Sequence, residues 1–193
     1  EKKISVIEEE STTLLIETIT KGLNKDISLK PTGIDWVQDI PHNWEITKIK
    51  YISKMLRGKF SHRPRNDEKM YGGIYPFIQT GDITNAGKYL NEYTQTLNEL
   101  GYAVSKEFEV GTVVMAISAN IGNVSILNIK SCFPDSIVGF VANQKTSPEY
   151  IYYLFSAMKE VFIKNSVKST QLNLNIERVG SIKIPLPKIN EQN

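Results

Sequence analysis

Residues 58–67, GKFSHRPRND, place Lys59, His62, Arg63, Arg65 and Asn66 within ten positions, with Phe60 and Pro64 between them. Residues 57–65 add Arg57 and contain no acid, although the 193-residue chain carries a net charge of only +2. The positive charge is therefore gathered rather than spread. A guanidinium is a planar fork of donors that matches two phosphate oxygens, or the O6/N7 edge of guanine. Side-chain amides do the equivalent for the N6/N7 edge of adenine. Pro64, between two arginines, stiffens the loop, so less entropy is lost when those forks engage a partner. The plainer reading is a solvated basic loop.

Three further segments carry the same chemistry. Residues 75–83, YPFIQTGDI, end an apolar stretch with Gln79, Thr80 and Asp82 at a turn. Residues 118–123, SANIGN, put Ser118, Asn120 and Asn123 on a connection of hairpin length. Residues 164–175, KNSVKSTQLNLN, hold Lys168 and then alternate Gln171, Asn173 and Asn175 with Leu172 and Leu174. If that segment is extended, the three amides share one side. Guanidinium and amide groups in this number, without clustered carboxylates, suit hydrogen-bond readout of base edges better than catalysis. From the residues alone, nucleic-acid binding and a set of solvated polar loops both stay open.

The catalytic inventory is sparse. There is no GxxxxGK[ST] phosphate loop and no GxGxxG after a strand. His42 and His62 are the only histidines and Cys132 the only cysteine, so neither an internal disulfide nor a usual structural zinc site can be assembled. Cys132 lies between strand-like segments and reads as a small buried hydrophobe. The Asn/Asp-Pro-Pro-aromatic loop expected of an adenine methyltransferase is absent. Asp67-Glu68-Lys69 and Pro134-Asp135 form the two halves of a nuclease-like pair, but in reverse order. A non-catalytic chain without a cofactor or metal is expected. The single cysteine, the absence of a leader and the lack of any long apolar run fit a cytoplasmic protein away from membranes.

The elements that must position these residues follow from periodicity. Residues 1–23 read as the distal part of a long helix: Ile4, Ile7, Ser11, Leu14 and Thr18 form a stripe, with Lys21 and Gly22 as its end. Its face would serve either its own domain or a helical partner. Residues 24–44 read as an irregular tethered connector, broken by Pro31, Gly33 and Pro41 and pinned by Trp36 and Trp44. A globular α+β domain of mixed strands then spans residues 45–187. Strands are expected at residues 111–117, 124–127, 137–141 and 182–186. A helix is expected from the Ser147-Pro148-Glu149 start to about Lys164. Residues 188–193 begin a further helix.

At this point the motifs resemble those of one family. ETITKGLN, GIDWVQDIPHNWE and the closing IPLPKINEQ are similar to signposts of the specificity subunits of type I restriction–modification systems. GKFSHRPRND, YPFIQTGDI, SANIGNVSIL, CFPDSIVGF and QLNLN resemble one subclass of their target recognition domains. The departure is Lys188, where a second proline is common. The resemblance spans essentially the whole chain. It implies a domain that reads one half of a split double-stranded DNA target, with spacer helices that set two such domains apart. It implies a methyltransferase subunit and a motor–nuclease restriction subunit as partners, and self-association through the spacer helices. On the chemistry of the residues, the DNA contacts expected are Lys59, His62, Arg63, Arg65 and Asn66 in the loop, Gln79, Thr80 and Asn120, and Lys168, Gln171 and Asn173. The resemblance does not fix the individual readers, since base-reading positions vary between target specificities. Three alternatives stand beside it: the specificity half of a fused restriction–methylation enzyme, a protein-interaction module built on the first helix, and a metal nuclease using Asp67 and Asp135.

Overall fold

The first helix, α1 (Lys2–Lys21), closes as its sequence predicts. Gly22 takes φ +72 and its N–H donates to the Thr18 carbonyl at 2.9 Å, a left-handed cap that a residue without Cβ adopts freely. The same glycine lets the Trp44 ring approach, since a Cβ there would sit 3.3 Å from it. The computed structural model describes residues 2–168 and 172–192, with side-chain detail for residues 10–166 and 174–192.

The connector is more regular than expected. Strands β1 (Leu29–Ile34) and β2 (Val37–Pro41) form an antiparallel hairpin whose register shifts between Pro31 and Ile34. Proline and glycine here occupy the irregular part of a ladder instead of ending the strand, which is where sheets tolerate them. The hairpin holds because Ile34, Val37, Ile40 and Trp44 bury one another in a small apolar cluster. The Trp36 indole N–H donates to the Lys183 carbonyl at 3.2 Å, and that of Trp44 to the Glu191 carboxylate at 2.8 Å.

The remaining elements are β3 (Glu45–Lys48), β4 (Ser53–Arg57), β5 (Tyr71–Pro76), α2 (Thr80–Asn85), β6 (Tyr89–Leu90), β7 (Thr96–Leu97), α3 (Glu99–Ala103) and β8 (Glu107–Phe108). After them come β9 (Val113–Ala116), β10 (Val124–Leu127), β11 (Ser131–Cys132) and β12 (Ile137–Ala142). The chain ends with α4 (Pro148–Ala157), α5 (Lys159–Asn165), β13 (Val167–Lys168), β14 (Leu172–Asn173), α6 (Ile176–Ser181) and β15 (Lys183–Leu186). This is an α+β fold. Its centre is a five-stranded sheet of order β4-β12-β9-β10-β6, antiparallel except for the β10–β6 pair. β15 pairs antiparallel with β3, so the two ends of the domain are joined.

All four residues of β9 are buried, and their alternation divides the core. Val113 and Met115 face the cluster built by Ile151, Leu154 and Phe155 of α4, whereas Val114 faces Phe108, Phe133 and Ile137. The helix over α4 begins as expected: the Ser147 hydroxyl accepts the Tyr150 N–H at 3.1 Å, Pro148 follows, and Glu149 lies in the first turn. It does not run unbroken to Lys164. At Met158 the N–H is shared between the Leu154 and Phe155 carbonyls, and α5 starts afresh. The break lets Met158, Phe155 and Phe162 all face the same core, with Phe155 and Phe162 meeting edge to face at 5.3 Å.

Cys132 is buried among Phe60, Phe77 and Leu97, and burial pushes its thiol up to about 12. The thiolate is the reactive form, so a disulfide reagent at pH 8 should leave the native protein unmodified. It should react at once after denaturation. Rapid labelling of the native chain would contradict this burial.

Candidate nucleic-acid interface

Strand order brings the four polar segments to one place. β4 ends at Arg57, β12 begins at Ile137, β9 ends at Ala116 and β10 begins at Val124, and the pairs Arg57–Val138, Ala116–Ile137 and Met115–Val124 set these ends side by side. The loop after β4 and the segment before α2 then flank residues 132–133. The Lys59 N–H donates to the Phe133 carbonyl at 3.0 Å, and the Ile78 N–H to the Cys132 carbonyl at 2.8 Å. The turn after β9 meets α2 through Thr84, whose hydroxyl accepts from Asn120 Nδ2 at 3.1 Å and from Asn123 Nδ2 at 2.8 Å while donating to the Thr80 carbonyl. The segment after β14 joins the same end, because the Leu174 N–H donates to the Ile117 carbonyl at 2.9 Å.

The basic loop is braced internally. A Cβ on Gly58 would lie 2.2 Å from the Pro134 carbonyl oxygen, so only glycine lets β4 run this close to the segment before β12. His62 Nε2 sits 2.9 Å from Asp67 Oδ2. The Lys69 backbone N–H, and then the His62 hydrogen bond, hold the Asp67 carboxyl below the usual carboxylate range. Arg63 Nη1 donates to the Phe60 carbonyl at 2.8 Å and to the His62 carbonyl at 2.7 Å. Arg57 Nε donates to the Asp135 carbonyl at 2.8 Å, and Arg65 Nη2 lies 2.5 Å from Asp135 Oδ1. The Tyr71 hydroxyl donates to the Arg65 carbonyl, and burial raises the Tyr71 phenol above its ordinary value. Among the described residues, nothing pairs with the exposed Lys59 ammonium or the Asn66 amide.

The other sequence-predicted residues are placed unevenly. Gln79 caps α2 through its N–H to Asp82 Oδ2 at 2.7 Å, and its amide nitrogen donates to Gln95 Oε1 at 2.9 Å. Thr80 is half-buried in the first turn of α2. Asn120, at φ 29, and Ala119, at φ 43, hold left-handed backbone at the exposed turn. Gln171 lies outside the described residues. Lys168 and Asn173 stand on paired strands, with Lys168 opposite Leu172 and Val167 opposite Asn173, and their side chains also lie outside the description.

Sequence reasoning missed two members of this surface. Thr84, which ties the turn to α2, lies 36 and 39 residues from its amide partners. Asp135 stood out only as half of a reversed nuclease motif. In the structure it faces Arg65, while Asp67 faces His62. Among the described residues, no group of three His, Cys, Asp or Glu side chains is placed to hold a metal ion.

Residues 41–193 match the family model described as the type I restriction modification DNA specificity domain. The chain belongs to this family. Among curated relatives of this specificity-domain chain, the putative type I restriction enzyme MjaX specificity subunit of Methanocaldococcus jannaschii is 25% identical over 195 residues, covering 99% of this chain and 43% of that protein. The type I restriction enzyme MjaIX specificity subunit of the same organism is 28% identical over 159 residues, covering 79% and 36%. The chain thus spans less than half the length of the curated relatives it matches. Among solved structures, the HsdS subunit from Thermoanaerobacter tengcongensis aligns with a TM-score of 0.62 at 16% identity, over 98% of this chain and 42% of that one. A chain from a study of complex assembly and conformational transition of the type I R-M system aligns at 0.67 with 18% identity, over 99% and 44%. These two likenesses establish the shared fold. Among the described residues, no helix is long and apolar enough to cross a membrane.

Proposed function

We propose that residues 45–187 are a target recognition domain that reads one half of a split double-stranded DNA site, without catalysing a reaction itself. The observation that carries this reading is the convergence of the basic loop, the α2 start, the turn at residues 118–123 and the segment around Leu174 at one end of the central sheet. Lys59 supplies an unpaired cation for a phosphate, and the amides and guanidinium groups around it supply donors for base edges. Residues 1–23 would belong to a spacer helix, residues 24–44 to the joint and residues 188–193 to the start of the next spacer. On α1, Ile19 is buried in the core cluster under α4 with Leu15 packed against it, so this end of the helix is seated on its own domain. The 65% exposed Leu14 is left to meet a second spacer helix or another copy. A methyltransferase subunit and a restriction subunit would supply the chemistry.

A methylation map tests the assignment. The parent protein is expressed with its methyltransferase subunit in a host without adenine methylation, and the modified bases are sequenced. A swap of residues 45–187 should change one half of the modified site and leave the other half intact. Methylation that is unchanged by the swap would remove the domain's claim to specificity. In direct binding, Lys59→Ala should weaken all sequences alike and reduce the slope of log affinity against log salt by about one, as for loss of a phosphate contact.

A further inference from the structure

We propose that Asp135 is a positioning residue that presents Arg65 to a guanine; this deepens, and rests on, the DNA reading just given. The three arginines of the loop are not equivalent. Arg57 and Arg63 are spent on backbone carbonyls and brace the loop. Arg65 is instead held by a carboxylate through one nitrogen, Nη2, and among the described residues its Nε and Nη1 have no protein acceptor. A guanidinium carries enough donors to keep that pair and still offer two parallel N–H groups to a second plane of acceptors.

Both ends of the pair stand on fixed backbone. Arg65 is tied through its carbonyl to the Tyr71 hydroxyl. Asp135 lies in a turn closed by the Ile137 N–H on the Pro134 carbonyl at 3.1 Å, and its own carbonyl is held by Arg57. Its neighbour Ser136 accepts the Ile117 N–H at 2.9 Å. The guanidinium is therefore ordered before any ligand arrives, which removes much of the entropy cost of engaging it.

The pair's exposure argues against a purely structural purpose. The side chains of Arg65 and Asp135 are 46% and 43% exposed, and ion pairs this wet add little to stability. The sign of the charge then chooses the ligand. A phosphate brought to Arg65 would meet the Asp135 carboxylate beside it, whereas the O6/N7 edge of guanine offers two neutral acceptors. Lys59, free of any such acid, is the phosphate cation, and Arg65 the base reader.

Enrichment of duplexes from a randomised library by the 193-residue chain tests this, using wild type, Asp135→Asn, Arg65→Lys and the double variant. Wild type should enrich a site containing guanine. Asp135→Asn and Arg65→Lys should lose discrimination at the same base pair, by about 5- to 140-fold, and keep every other position. The double variant should be no worse than Arg65→Lys alone, since the two residues act as one unit. Arg65→Lys alters an exposed side chain and carries the test even if Asp135→Asn fails to fold. Discrimination unchanged in Asp135→Asn or Arg65→Lys overturns the proposal. So does Asp135→Asn binding all sequences more tightly with the same preferences, which would make Asp135 a latch. A wild-type chain that enriches no sequence would overturn the DNA reading itself, and this inference with it.

Discussion

Gly58→Ala should melt well below the wild-type protein and lose its sequence preference in DNA. A Cβ at this position would lie 2.2 Å from the Pro134 carbonyl oxygen, 2.4 Å from that of Phe133 and 2.5 Å from the Phe133 ring. Two of those three atoms are backbone, and the backbone here cannot step aside. The Gly58 N–H donates to the Ile137 carbonyl at 3.0 Å and the Lys59 N–H to the Phe133 carbonyl at 3.0 Å, so separation of the two segments breaks the ladder that holds the basic loop. Overpacking a close-packed site costs about 1–3 kcal/mol. For a chain of this size that corresponds to a melting temperature roughly 2–12 °C lower. Gly81→Ala is the control. Nothing lies within 4 Å of a Cβ there and the residue is helical, so alanine should be neutral or stabilise by about 0.5–1 kcal/mol. Equal melting of Gly58→Ala and wild type in calorimetry would show that the two segments are not in close contact.

What could be read in the sequence was local. The Ser147-Pro148-Glu149 start, the strands expected at residues 111–117 and 124–127, and the glycine cap after α1 are each specified by a few neighbouring residues, and each forms, the first strand over the shorter span Val113–Ala116. The basic loop was also visible, because charge density needs no fold to be counted. Its internal economy was not. Whether an arginine is a reader or a brace depends on which carbonyl lies beside it. The acid that holds Arg65 comes from 70 residues away. The hairpin in the connector was hidden for a related reason, since Pro31 and Gly33 read as breakers until Ile34, Val37, Ile40 and Trp44 are seen to bury one another. The break at Met158 carries no Pro or Gly signal, and is set by which side chains the sheet accepts. Above all, the loop after β4 and the turn after β9 meet at one sheet end because of the order β4-β12-β9-β10-β6, in which neighbours in space are not neighbours in sequence. The segment leading into α2 and Leu174 are drawn to that end by backbone hydrogen bonds to Cys132 and Ile117. The family resemblance pointed to the proposed role in DNA recognition but left open which polar residues meet one another.

Phe133→Ala and Phe155→Ala should destabilise the protein by similar amounts and yet differ in their effect on DNA. Both rings are fully buried. Phe133 stacks on Phe108 with centroids 3.9 Å apart, while Phe155 meets Phe140 edge to face at 4.8 Å and Phe162 at 5.3 Å. Truncation of such a ring costs about 3–5 kcal/mol, through lost burial and the cavity left behind. That is a fall in melting temperature of roughly 6–20 °C for either variant. Phe155 lies in the cluster under α4, and Phe133 in the cluster on the other side of β9. Only Phe133 underlies the interface: its carbonyl holds the Lys59 N–H, and the next two residues are Pro134 and Asp135. A cavity beneath that backbone lets the segment settle, moving Asp135 and with it the Arg65 guanidinium. Binding measured far below both melting temperatures should therefore keep its sequence preference in Phe155→Ala and lose it in Phe133→Ala. If both variants keep the preference, the reading groups do not depend on this segment, and the interface must lie elsewhere on the domain. If both lose it, the two clusters act as one rigid core and recognition tracks global stability rather than the local seat of Arg65.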